Sequence, residues 1–98
     1  MALFLITCRD KPGALDVRLA NRAAHLEWAT AYKDSIAMIG PLFADDGETF
    51  TGSAIVKEAA SKADVEAWCR DDPYAKAELF ESVEIRPFRW VMGEGPPA

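Results

Sequence analysis

Histidine occurs once in this 98-residue sequence, as His25. An unperturbed imidazole titrates near neutrality, which makes a lone histidine a candidate general acid/base. Arg22 precedes it by three residues and, on a helix, projects to about the same side. The bland alternative is a polar residue at the edge of a buried helical stripe. Asp72 is followed by Pro73. Asp before Pro is the expected pairing of an N-cap with the first helical position, so its carboxylate has a structural role available. The two roles are compatible: one carboxylate oxygen caps while the other accepts from an imidazole N–H and fixes the tautomer.

Other residue types carry weaker signals. Gly40-Pro41 and Gly52-Ser53 could let a ligand approach the backbone, with Ser53 donating a hydrogen bond, although glycines in strands more often mark bulges or bends. Tyr74 and Trp28 could line a pocket, against the ordinary reading of helical aromatics as core. Asp45 and Asp46 precede Gly47 as in common turn chemistry. With one His, no CxxC and no clustered carboxylates, no zinc site is expected. No Walker loop, dinucleotide fingerprint or nucleophile elbow occurs, so no cofactor is expected and Ser53 has no motif as a nucleophile. Cys8 and Cys69 sit in apolar surroundings and read as reduced core residues.

These residues must be held by secondary structure that the pattern predicts. Ala2 to Cys8 reads as a strand, and Lys11-Pro12-Gly13 as a turn. Leu15 to Asp34 lacks Gly and Pro, and Leu15, Leu19, Arg22, Leu26 and Ala29 recur at helical spacing, predicting a long amphipathic helix with that stripe inward. Ile36 to Phe43 is a second strand, edge-like because of Gly40-Pro41, and Phe50 to Lys57 a third across a wide turn. Ser61 with Asp64 opens a second helix, whose buried stripe is Val65, Trp68 and Cys69; it ends before Pro73. A short helical segment from Pro73 to Phe80 leads to a last strand from about Val83 to Met92. The order βαββαβ is α+β and ferredoxin-like, with one four-stranded antiparallel sheet. The expected organisation is a single domain over residues 1–92 and a loose tail over 93–98.

Composition narrows the partners. Half the residues are apolar, enough for a core, and the formal charge of −5 argues against nucleic acid or an anionic membrane surface as partner. Apolar runs reach only seven or eight residues, whereas a membrane helix needs about 20, so no span is expected and a cytoplasmic location is the simplest. Two helices cover one face of such a sheet. Leu3 and Leu5, the members of the second strand and Phe88, Trp90 and Met92 leave the other face apolar as well. Its expected cover is the same face of a second copy, giving a homodimer.

Arg22-x-x-His25-Leu26, Gly40-Pro41, Phe50-Thr51-Gly52-Ser53, Asp72-Pro73-Tyr74 and Pro87-Phe88, in this order and spacing, resemble the YciI-like (YCII-related) family from Ala2 to about Val91. The resemblance implies a dimeric α/β-barrel version of the ferredoxin-like fold, with His25 and Asp72 as an active-site pair and Arg22, Ser53 and Tyr74 as neighbours toward a small-molecule substrate. One known type in this family eliminates HCl from a chlorinated hydroxyhydroquinone, and related dimeric barrels isomerise muconolactones. The implied activity is cofactor-free proton transfer on a small cyclic or aromatic-derived compound, with Arg22 or N–H groups near Gly52 steadying developing negative charge. A non-catalytic small-molecule-binding or accessory domain, or a pair that merely ties two helices together, satisfies the sequence equally.

Overall fold

The computed structural model describes residues 1–94. The strands are β1 (Ala2–Asp10), β2 (Ile36–Phe43), β3 (Phe50–Ala59) and β4 (Phe80–Phe88), and the helices are α1 (Leu15–Ala31), α2 (Lys62–Arg70) and α3 (Pro73–Lys76). The sheet is antiparallel in the order β2-β3-β1-β4, the ferredoxin-like arrangement expected, with β2 on an edge where Pro41 costs no ladder bond. The tail expected from residue 93 lies, from residue 95 onward, outside the described residues.

Alternation along β1 sends Phe4, Ile6 and Cys8 to the helix-covered face, where they join Ile55, Ala59, Val65 and Trp68 in one buried cluster. Ile6 and Val65 are fully sealed, and each such side chain contributes on the order of 1.5–3 kcal/mol by leaving water. Ser61 caps α2 by accepting from the Asp64 N–H at 3.2 Å. Gly52 is obligatory where β1 and β3 meet, because a Cβ there would strike the Cys8 carbonyl.

Three features differ from expectation. First, α1 buries Arg18, His25 and Ala29, while Leu15, Leu19 and Leu26 are about half exposed. The helix also stops at Ala31, because the next residues tighten into a 3-10 turn (Lys33–Ser35) that delivers Ile36 to the sheet opposite Lys57. Second, α3 does not continue to Phe80. Leu79 N–H donates to the Tyr74 carbonyl and Glu78 N–H to the Ala75 carbonyl, both at 3.0 Å, closing the helix with Glu78 at φ +60° and Leu79 fully buried. The last strand therefore begins at Phe80, and it ends at Phe88, opposite Leu3, where β1 runs out of partners.

Third, bulges re-aim side chains. An irregularity between Ile36 and Met38 places Ile36 and Ile39 with the helix-side residues, and Met38 and Leu42 with the open face, although strict alternation along the strand would put Ile36 with Met38 and Leu42. Extra residues at Thr51 in β3 and Glu81 in β4 turn Phe50 and Phe80 toward the helices. The open face is mixed rather than uniformly apolar. Leu3, Leu5, Met38, Val56 and Phe88 form one half, and Thr7, Arg9, Ser82 and Glu84 the other.

Candidate functional site

The helix α1 crosses the sheet so that His25 meets the start of α3. Asp72 caps α3, its Oδ1 accepting from the Tyr74 N–H at 2.9 Å. The same oxygen lies 2.8 Å from His25 Nδ1, so one atom serves both roles rather than one oxygen serving each. In the neutral ring this contact holds the proton on Nδ1 and leaves the lone pair on Nε2. Tyr74 stacks on the imidazole at 4.1 Å between centroids, and Trp28 tilts against it at 5.8 Å. His25 and Asp72 are 6% and 3% exposed. Nε2 has no protein partner among the described residues, where the sealed and unpartnered side-chain N or O atoms are three tryptophan indole nitrogens. With Nδ1 engaged by Asp72, Nε2 is the ring nitrogen left to exchange a proton.

A second polar group lies two helical turns before His25. Arg18, 3% exposed, grips Asp10 with two parallel bonds, Nε to Oδ2 at 2.7 Å and Nη2 to Oδ1 at 2.8 Å. Its Nη2 also donates to Ser53 Oγ at 3.0 Å. The guanidinium lies over the Tyr74 ring at 4.8 Å and the Phe50 ring at 5.5 Å. Such a buried, forked arginine is strongly oriented. Burial raises the Tyr74 phenol above its usual range, opposed by the nearby charges of Arg18 and Arg22, so its hydroxyl stays protonated at neutral pH and is available as a donor. Phe80 closes the far side of Tyr74, edge-on at 6.0 Å.

His25, Asp72 and Tyr74 thus come together directly, and Ser53 joins them through Arg18. Arg22 is exposed and makes no hydrogen bond among the described residues. The sequence reading missed Arg18 and Asp10. The available signal was spacing: Arg18 precedes His25 by seven residues, two helical turns, and so shares its face. Cys8 lies close by, but burial first, then nearby Cys69, Asp72 and Asp10, push its thiol up to about 12, which leaves it inert as a nucleophile. Among the described residues no three His, Cys, Asp or Glu side chains converge as metal ligands, and no helix there is long and apolar enough to cross a membrane.

A cleft of about 740 Å³ opens at the same end of the sheet, with Thr7, Asp10, Leu42, Phe43, Phe50 and Glu84 among its walls. His25, Asp72 and Tyr74 do not line it. The cleft and the imidazole are separate places, and Arg18 lies between them, bonded to Asp10 and stacked on Phe50 on one side and on Tyr74 on the other.

The chain is 38% identical to 5-chloro-2-hydroxyhydroquinone dehydrochlorinase from Burkholderia phenoliruptrix, whose structure in complex with 2,5-dihydroxybenzoquinone superposes with a TM-score of 0.80 over 94% of this chain and 96% of that one. A crystal structure of an antibiotic biosynthesis monooxygenase, 13% identical with a TM-score of 0.54 over 94% of this chain and 100% of that one, shares the fold alone. Protein YciI of Escherichia coli is 34% identical over 97 residues, 92% of this chain and 99% of that protein. An uncharacterised Haemophilus influenzae protein is 30% identical over 96 residues, 91% of this chain and 98% of that one. The YCII-related domain matches residues 2–89. The chain belongs to the YCII-related family.

Proposed function

We propose that this chain is a small-molecule enzyme that moves a proton without a cofactor, of lyase or isomerase type, on a small cyclic or aromatic-derived compound. The observation that carries the reading is the buried 2.8 Å contact between His25 Nδ1 and Asp72 Oδ1, which leaves Nε2 as an oriented base. In an elimination of HCl from a chlorinated hydroxyhydroquinone, the chlorine-bearing ring carbon takes the proton of a neighbouring hydroxyl as that hydroxyl becomes a carbonyl. Nε2 then accepts a second hydroxyl proton, the O–H pair released forms another carbonyl and shifts one ring double bond, and the C–Cl pair departs as chloride. Asp72 holds the imidazole's orientation and stabilises the imidazolium that forms. Tyr74, kept protonated by burial, donates to a substrate oxygen. The 38% identity to a dehydrochlorinase acting on a hydroxyhydroquinone supports a hydroxylated ring as substrate class.

The same reading includes a homodimer built through the helix-free sheet face. Met38 is 48% exposed there, and Leu42 and Phe88 are also open to solvent.

Turnover is tested by chloride release from 5-chloro-2-hydroxyhydroquinone, with proton exchange in deuterated water followed for a panel of cyclic enols and lactones. The parent protein should act on at least one compound, and His25→Gln should lower the rate about 100-fold or more, the usual scale of general acid/base catalysis. Unchanged turnover in His25→Gln refutes the role. Ligand binding without turnover across the panel, in parent and variant alike, establishes the binding-domain alternative instead.

A further inference from the structure

We infer that segment 90–94 is an exchange arm, which docks on the exposed leucine row of α1 in a second copy of the chain, with Met92 on the partner's Leu26 and Glu94 on the partner's Arg22. The inference builds on the proposed dimer and is independent of the proton-transfer reading.

Two apolar surfaces outside the open sheet face stand uncovered. The first is on α1, where Leu15, Leu19 and Leu26 are about half exposed and fall in one row by helical spacing. The opposite flank of the helix carries Trp28, which stacks on Trp68 of α2. Leu15 and Phe43 of β2 line one cleft, so the row faces the β2 edge. Arg22 stands in this row between Leu19 and Leu26, exposed and without a hydrogen bond among the described residues. The second surface follows β4. Val91 and Met92 are 82% and 87% exposed. Both ends of this pair are anchored. Trp90 packs edge-on against Phe88 at 6.0 Å, and Gly93 lies against the Trp90 indole, where an added Cβ would stand 3.4 Å from Nε1. The φ of +108° at Gly93 suits glycine to this return, and Glu94 comes next.

The two surfaces match in chemistry, charge and length. Each is apolar with a single charge, positive in the helical row and negative on the arm. At 1.5 Å per residue, Leu26 and Arg22 are about 6 Å apart along α1. The two residues from Met92 to Glu94 reach about 7 Å at most, so an arm with Met92 on Leu26 brings Glu94 to Arg22. The arm does not serve its own helix. It leaves β4, the edge opposite β2, with Val65 and Trp68 of α2 packed on the sheet between, and Val91 and Met92 stay open to solvent. It starts instead beside Phe88, on the helix-free face through which the proposed dimer forms. Other covers fit less well. Pairing two α1 rows antiparallel, Leu19 to Leu26, sets the two Arg22 side chains against each other, and Pro41 blunts the β2 edge against an added strand.

The test uses the full chain with paired cysteines. Met92→Cys/Leu26→Cys is compared with Met92→Cys/Ala24→Cys, whose second cysteine sits on the other flank of α1, and Met92→Cys alone is the blank for the native thiols. Disulfide formation under oxidised glutathione is followed on non-reducing gels. A docked arm holds its thiol at high effective concentration, so the inter-chain disulfide should form at least about tenfold faster at position 26 than at position 24. Arg22→Glu in the same background should slow it several-fold, and adding Glu94→Arg should restore it, a rescue that mere nearness of the chain end would not give. Sedimentation of the parent separates this inference from the reading beneath it. A monomeric parent removes the dimer and the arm together. A dimeric parent with equal rates at both positions, a disulfide closed within one chain, or no rescue by Glu94→Arg overturns the arm alone.

Discussion

Replacing Asp72 by alanine and by asparagine separates the two roles that one oxygen atom performs. In Asp72→Ala, α3 loses its cap to the Tyr74 N–H, an effect of about 1 kcal/mol. The bond to His25 Nδ1 goes as well, and hydrogen bonds involving a charged group contribute about 1.5–3 kcal/mol. The expected destabilisation is therefore about 2.5–4 kcal/mol, a large share of the stability of a domain this small. Asparagine keeps an oxygen acceptor at the same place and can serve both the Tyr74 N–H and a neutral Nδ1–H. Only the difference between charged and neutral bonds is lost, about 1 kcal/mol. Urea denaturation of the three proteins, with the slope on denaturant checked for constancy, reads the values directly. A loss below about 1 kcal/mol in Asp72→Ala would refute the shared-oxygen reasoning. So would Asp72→Asn proving as unstable as alanine.

Further predictions follow from single features. Glu78 holds φ +60° at the end of α3, where an L residue is strained, so Glu78→Gly should stabilise the fold by about 1 kcal/mol in the same urea assay. Cys8 and Cys69 have thiols pushed to about 12 by burial, and burial also raises Tyr74. The folded state therefore holds these protons more tightly than the unfolded one. The stability they contribute is complete below about pH 9, the ordinary thiol range, and is lost as pH rises toward 12. Urea midpoints between pH 8 and 11 should fall, less steeply in Cys8→Ala, and native thiols should resist iodoacetamide at pH 8. Met38→Lys places a charge on the helix-free face and should convert the proposed dimer to monomer in sedimentation analysis. A parent that sediments as a monomer refutes the dimer.

The ferredoxin-like order was legible because β-rich segments, turn residues and two helical segments alternate cleanly, and no long-range fact was needed to count them. Helix α1 shows what periodicity misses. Its leucines share one stripe, but the buried stripe is Arg18, His25 and Ala29. Two of those three are polar, and each is satisfied by partners outside the helix: Arg18 by Asp10 and Ser53, His25 by Asp72. Spacing within a helix cannot reveal such partners. It favoured Arg22, three residues from His25, over Arg18 at seven. The bulges at Thr51 and Glu81 were equally silent, since an extra residue shifts a face without changing composition. Asp72 before Pro73 was readable as a cap, and its contact with His25 was suggested by the family pattern rather than by any local spacing.

In the proposed site, Asp72 fixes the proton on His25 Nδ1 and leaves Nε2 as the base. With one histidine in the chain, long-range ¹H–¹⁵N correlation of the imidazole above its titration reads the tautomer without assignment. The parent should show a protonated Nδ1 and a bare Nε2, with the Nε2 resonance moving when a ring ligand is added. A bare Nδ1 with the proton on Nε2 contradicts it.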